Sequence, residues 1–184
     1  VVELSKDLYV YPIFKNGRSS IKMYAEAHNC RTFTNESVSE LEPITVYIRN
    51  PLERFASGVN TYLYYEHDSK LDQEVLSGIE KGDIVNKHFV PQYVWLLHLY
   101  KYYKGPVQLE LVDRLYEVIP NRDGPWTENP KPWIPLSPQR YDTIMSVSHK
   151  NYVRQDQILI DKYLGRTTDI DTIMTDSEFK DVLS

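Results

Sequence analysis

The chain has 184 residues, 26% charged and 41% hydrophobic, which fits one domain with a substantial core and a globular composition in place of a disordered one. Its formal net charge of -5 argues against a non-specific nucleic-acid binder, which carries a basic excess, yet permits a local basic pocket for a small anion. The single cysteine, Cys30, excludes an intramolecular disulfide framework and a multi-cysteine zinc site.

In chain order, Leu8 to Phe14 reads as a buried strand and Ser19 to about His28 as the helix it feeds. Between and into them run Lys15, Asn16, Gly17, Arg18, Ser19 and Ser20. A strand that ends in a glycine-containing turn and opens a helix presents backbone N–H groups at the positive end of the helix dipole. Lys15 and Arg18 add full charges, and the serines add hydroxyl donors, making a cradle suited to phosphate or sulfate. Residues 29 to 42 are polar and irregular. Ile44, Val46 and Ile48 then alternate with Thr45 and Tyr47, which is strand periodicity. Asn50, Pro51 and Glu53 have the spacing of a capping box with proline at the first helical position, and predict a helix from Pro51 to about Glu66. Phe55, Val59, Tyr62 and Leu63 fall on its apolar face.

A short helix is expected over Leu71 to Glu80, a second over Pro91 to Lys104, and a strand over Val107 to Val112. Strand–helix units with short connections predict an α/β fold: a single domain with a parallel central sheet flanked by helices. Six prolines interleaved with Trp126 and Trp133 exclude regular structure between 120 and 138 and predict an ordered flap there. A final amphipathic helix is expected over Ser148 to Leu164, and Thr175 or Asp176 is expected to cap a last short one. No apolar run approaches the ~20 residues that span a bilayer, and the N-terminus lacks the order of a signal peptide. The expectation is therefore no membrane span and a cytoplasmic or virus- or bacterium-like intracellular setting. A chain that starts at Val1 and not Met also fits removal of an N-terminal segment.

Ligands of parallel α/β sheets gather at the C-terminal ends of strands. Lys15 and Arg49 each stand just past a strand, so two cations at one sheet edge suit a ligand with two separate anionic groups. Ser57 lies eight residues beyond Arg49, two turns into the following helix. The competing role for Arg49 is an ion pair with Glu53.

The pattern Lys15-x-Gly17-x-Ser19-Ser20 followed by Arg49-x-Pro51-x-x-Arg54-x-x-Ser57 resembles the two cofactor motifs of sulfotransferases that use 3′-phosphoadenosine 5′-phosphosulfate. It is closest to their carbohydrate-type branch. His88-Phe89-Val90-Pro91-Gln92 resembles the His-Trp-x-Pro-Gln element of that branch, and Tyr152 to Tyr163 is similar to its C-terminal Tyr-x-x-Asp-type helix, with Asp156 as the acid. The resemblance implies a P-loop-like nucleotide-binding fold in which Lys15, Asn16, Gly17, Arg18, Ser19 and Ser20 hold the 5′-phosphosulfate. It implies that Arg49 and Ser57 hold the 3′-phosphate, that a small-molecule or glycan hydroxyl is the acceptor, and that adenosine 3′,5′-bisphosphate is the product. Phe14 and Arg18 depart from the family pattern, which usually has proline and a small or hydroxyl residue there. The glycine-rich, basic C-terminal loop of cytosolic small-molecule sulfotransferases is absent, so its contacts do not carry over.

Sulfuryl transfer needs stabilised charge on the leaving phosphate, an acceptor oxygen placed in line, and a base for its proton. Lys15 suits the first task and His88 is taken as the base, with His28, Glu53 and Glu110 as alternatives. His98 is expected in the core, His67 and His149 on the surface, and Arg54 on the surface or in a salt bridge. Trp126 and Trp133 have two readings, contact with the acceptor or a clamp on the core. No His-Glu-x-x-His motif, cysteine pair or dense carboxylate cluster points to a metal. Two other classes compete: a P-loop kinase or nucleotide hydrolase, disfavoured because Lys15 precedes the glycine, and a non-catalytic binding module on the same fold.

Overall fold

The computed structural model describes residues 1–13, 15–66, 73–113, 119, 135–146 and 149–180. Two strands open the chain, β1 (Val2–Ser5) and β2 (Leu8–Val10), paired antiparallel across a turn in which Asp7 takes φ 63°. So short a connection admits only an antiparallel pair. Helix α1 (Arg18–Ala27) leads to β3 (Ile44–Ile48), which lies parallel to β2. Helices α2 (Pro51–Glu66), α3 (Gln73–Lys81) and α4 (Gln92–Tyr100) separate β3 from β4 (Pro106–Leu111). That pair is also parallel, in register from Ile44↔Val107 to Ile48↔Leu111. Helices α5 (Pro138–Met145) and α6 (Lys150–Tyr163) precede β5 (Thr167–Asp169), which runs antiparallel to β4. The short helices α7 (Ile170–Thr175) and α8 (Ser177–Lys180) follow. Strand order in the five-stranded sheet is β1-β2-β3-β4-β5.

Side-chain alternation sorts the sheet into two faces. Ile44, Val46 and Ile48, each fully buried, pack with Val107 and Leu109 against Leu96 and Leu99 of α4, Leu159 of α6, and Ile170 and Ile173 of α7. On the opposite face Val10 packs with Ile21, Tyr24 and Ala25 of α1, joined by Val112 and Ile119. A third apolar cluster joins Phe55, Val59, Tyr62 and Leu63 of α2 to Val75, Leu76 and Ile79 of α3, with Phe89, Ile144 and Tyr152. The apolar face expected for α2 is thus the buried one.

Several expectations need correction. The parallel arrangement holds for β2, β3 and β4 only; both edge strands are antiparallel, so the sheet is mixed. The first long strand stops at Val10. Tyr11 still donates its N–H to the Thr45 carbonyl (3.0 Å), but Pro12 has no N–H to continue the ladder. Helix α4 ends at Tyr100, short of Lys104. The proline-rich stretch closes on a helix start: Ser137 Oγ accepts the Arg140 N–H (3.2 Å) and Pro138 takes the first helical position. Residues 120–134, with Trp126 and Trp133, lie outside the described residues, as do Phe14 and His67. Asp176 does cap the last helix, accepting the Glu178 N–H at 3.0 Å. Among the described residues no helix is long and apolar enough to cross a membrane.

Candidate active site

The Lys15 turn is built by anchors on both sides of it. Ile13 is 1% exposed and sits in the core, and its carbonyl accepts the Asn16 N–H (3.2 Å), closing the turn. Lys15 takes φ 68° and Gly17 φ 82°. Glycine adopts that left-handed geometry without penalty, whereas lysine does so at a cost of about 1–2 kcal/mol. A non-glycine residue held there is a pointer to function. What holds it is Asn16, 1% exposed, whose Nδ2 donates to the Tyr47 carbonyl (2.7 Å) and to Gln92 Oε1 (2.5 Å). Gly17 then caps α1 without a side-chain hydrogen bond, and the first turn of α1 holds no acidic residue. The positive end of that helix is therefore left for an outside anion. Ser19 is exposed and Ser20 half-buried in the same turn.

The Arg49 end is built by Gln92. Arg49 N–H donates to Gln92 Oε1 (2.8 Å), and Gln92 Nε2 donates back to the Arg49 carbonyl (3.0 Å). The side-chain amide thus pairs with the Arg49 backbone as a neighbouring strand would. Arg49 Nη1 donates to the Lys15 carbonyl (3.3 Å), and Nη2 lies 4.0 Å from Glu53 Oε2. Its Nε is buried with no hydrogen-bond partner among the described residues. Burial lowers the Arg49 pKa and Glu53 opposes the shift. The ion pair with Glu53 exists, but that carboxylate is 62% exposed and contributes little in water.

Beyond Arg49, Asn50 Oδ1 accepts the N–H groups of Leu52 (3.0 Å) and Glu53 (3.2 Å), as a cap should. Two turns later comes Ser57, half-buried, whose carbonyl accepts the Thr61 hydroxyl (2.9 Å). Thr61 Oγ1 in turn accepts from Lys15 Nζ (2.7 Å). Lys15, Arg49 and the Ser57 turn are therefore connected neighbours. Thr61 escaped the sequence reading. Its signal was position: four residues after Ser57, it must lie on the same helix face.

Of the two settings expected for Arg54, burial excludes the surface. Arg54 is 1% exposed, with Nη1 donating to the Val90 carbonyl (2.6 Å). Burial brings its pKa down to about 10, with Asp156 opposing the shift and Arg49 adding to it. Asp156 is the buried acid on the other side. Burial raises its pKa, against the pull of Arg54 and of hydrogen bonds to Oδ2 from Gln92 Nε2 (3.0 Å) and to Oδ1 from Tyr93 N–H (3.0 Å). Pro91, at the N-terminus of α4, offers no side-chain cap, so Asp156 caps α4 from a distant helix.

The candidate bases separate clearly. His88 is half-buried in the turn before α4, its N–H on Asn86 Oδ1 (3.1 Å), and its carbonyl rests against Gly58. Gly58 precedes Thr61, the partner of Lys15 Nζ, by about one helical turn, so the His88 turn and the Lys15 tip both contact α2. His28 lies at the far end of α1, stacked on Tyr24 at 4.1 Å and about 15 Å of helix away from the cradle. His98 is exposed and not core, with Nδ1 3.1 Å from the Tyr11 hydroxyl. His149 is half-buried at the start of α6, not on the open surface. Glu110 pairs in register with Tyr47, accepts from Gln108 Nε2 (2.5 Å), and points by alternation to the α1 face of the sheet.

Arg18, exposed at the first position of α1, lines an open cavity on that helix. That open groove of about 540 Å³ runs along α1 past Pro12, Ile21, Ala25 and Cys30 to Val2. It includes none of Lys15, Arg49, Ser57 and His88, so Arg18 stands apart from the other cradle residues. Among the described residues, no group of three or more His, Cys, Asp or Glu side chains is placed to hold a metal ion. Comparison with family models, with curated proteins and with solved structures yields no match for this chain.

Proposed function

We propose that this chain is a sulfotransferase of P-loop-like fold, moving a sulfuryl group from 3′-phosphoadenosine 5′-phosphosulfate to a hydroxyl on a carbohydrate-like acceptor inside the cell. The observation that carries the reading is the bond from the Arg49 guanidinium to the carbonyl of Lys15. Residues 34 positions apart in sequence, expected at opposite ends of one nucleotide, are neighbours in the fold. The orphaned Arg49 Nε and the uncapped α1 are donors of the kind phosphate oxygens take. Gln92 and Asp156, drawn from the other two resembling segments, meet at the same place.

In this reading Lys15 and the α1 N-terminus stabilise charge on the phosphate as its bond to sulfur breaks, while Arg49 and the Ser57 turn hold the 3′-phosphate. The acceptor oxygen forms the new bond to sulfur and its proton passes to His88. One observation favours a non-catalytic module on the same fold: Lys15 Nζ is already engaged by Thr61 and Arg49 by Lys15. Binding and turnover therefore need separate tests.

Thermal shift with adenosine 3′,5′-bisphosphate against ATP and magnesium tests the binding. A ligand at about a hundred times its Kd stabilises the fold by about 2.7 kcal/mol, roughly 5–10 °C for a chain of this size. The shift is expected with the bisphosphate and is expected to vanish in Lys15→Ala and Arg49→Ala. Selective stabilisation by ATP would instead point to the kinase class. Transfer of labelled sulfate to a glycan library, lost in His88→Ala while bisphosphate binding persists, separates the enzyme from the module.

A further inference from the structure

We infer that Gln92 is the positioning residue that fixes the distance between the two ends of the anion site. The inference rests on the two-ended reading above. One buried side-chain amide, 0% exposed, contacts three segments at once. Its Oε1 takes Asn16 Nδ2 (2.5 Å), which belongs to the Lys15 turn, and the Arg49 N–H (2.8 Å), which belongs to the strand end. Its Nε2 gives one hydrogen to the Arg49 carbonyl (3.0 Å) and the other to Asp156 Oδ2 (3.0 Å). Every hydrogen of the amide is used, and both of its bonds to Arg49 are to backbone.

Each alternative anchor is weaker. Asn16 also reaches the Tyr47 carbonyl, which ties the Lys15 turn to β3 but not to the guanidinium-bearing residue. The Arg49 Nη1 bond to Lys15 is 3.3 Å long and comes from a side chain that must also meet the ligand. Gln92 touches neither cation, so its effect is on spacing and not on charge. Asp156 completes the device. It orients the amide so that Oε1 faces Asn16, because a carboxylate accepts only from the Nε2 side.

A ligand with two anionic groups gains from a linked site only when the spacing matches. Loss of Gln92 is therefore expected to reduce the preference for adenosine 3′,5′-bisphosphate over adenosine 5′-monophosphate and adenosine 3′-monophosphate. The experiment is calorimetric titration of the three nucleotides into wild type, Gln92→Met and Gln92→Glu. Gln92→Met is expected to cut the bisphosphate preference by about tenfold or more, while each monophosphate stays within about threefold of wild type.

Gln92→Glu keeps the Oε1 acceptor and gives a second readout should Gln92→Met fail to fold. Its new carboxyl faces Asp156 of α6 and the Arg49 carbonyl, with the Arg49 and Arg54 guanidinium groups nearby. A proton held between the two carboxyl groups restores the bond to Asp156, and a second proton on the new carboxyl restores the bond to the Arg49 carbonyl. Relative to wild type, its bisphosphate preference is expected to rise as the pH falls from about 9 to about 5.5. Wild-type preference in Gln92→Glu at every pH, or in a folded Gln92→Met, overturns the positioning role and leaves the two-ended site standing. A wild-type chain that binds all three nucleotides alike overturns the two-ended site itself, and the role of Gln92 with it.

Discussion

Replacing Gly58 by alanine puts the packing of the His88 turn to a test in which two effects have opposite signs. The added Cβ would stand 2.2 Å from the His88 carbonyl oxygen, 2.8 Å from its carbonyl carbon and 3.0 Å from Phe89 Cβ. Ordinary carbon contacts lie near 3.5 Å, so the turn must retreat by about 1 Å. It has nowhere to go, because Phe89 is 0% exposed and packs edge-on against Phe55, Tyr62 and Tyr152. Helix propensity alone favours alanine by about 1 kcal/mol. Overpacking of a rigid backbone contact costs about 1–3 kcal/mol, and the lost Phe89 packing adds to it. The expected net is a loss of about 1–2 kcal/mol, or a fall in Tm of roughly 2–8 °C. Urea denaturation followed by far-UV circular dichroism measures it. A Gly58→Ala chain as stable as wild type, or more so, refutes the close approach of this turn to α2.

Three further outcomes follow from the same geometry. Lys15→Gly and Lys15→Ala both remove the ammonium, but only glycine relieves φ 68°, so the glycine variant is expected to be more stable by about 1 kcal/mol in thermal denaturation. Equal stabilities would show that Lys15 is unstrained. Arg54→Ala is expected to cost about 3 kcal/mol in urea denaturation, through the cavity it leaves and the lost bond to Val90; a loss under about 1 kcal/mol would return Arg54 to the surface. Hydrogen bonds from Lys162 and Tyr163 hold the Asp176 pKa down to about 2 from 3.8. A folded pKa below the unfolded one means stability that is complete above about pH 4 and lost as the pH falls toward about 2. Asp176→Asn should remove that part of the acid limb. Because the Lys162 side chain is 35% exposed, high salt should shrink the effect; an unchanged acid limb in the variant would count against the pairing.

The elements legible in the sequence were those with strong local signals. The alternation of Ile44, Val46 and Ile48 and the Asn50–Pro51–Glu53 spacing each set an element whose bounds the structure repeats. The edge strands β1 and β5, four and three residues long, are too short for a period to show. Their direction depends on tight turns at Asp7 and Gly165, both at positive φ. At the candidate site, Lys15 and Arg49 stood out as cations just past strand ends, and Ser57 by its spacing from Arg49. Gln92 stood in the sequence only as part of a resembling element, and Arg54 read as a surface or salt-bridge charge. Their importance comes from burial against partners dozens of residues away, which no local pattern encodes. Arg18 shows the reverse, a residue local in sequence to the cradle that the helix turns toward a different groove.

A crystal structure with adenosine 3′,5′-bisphosphate tests the proposal that Lys15 and Arg49 form two ends of one nucleotide site. Lys15 Nζ is expected to have moved from Thr61 onto the 5′-phosphate, with the 3′-phosphate against Arg49 and the Ser57 turn. A bisphosphate seated in the groove along α1, with Lys15 still bonded to Thr61, would contradict it.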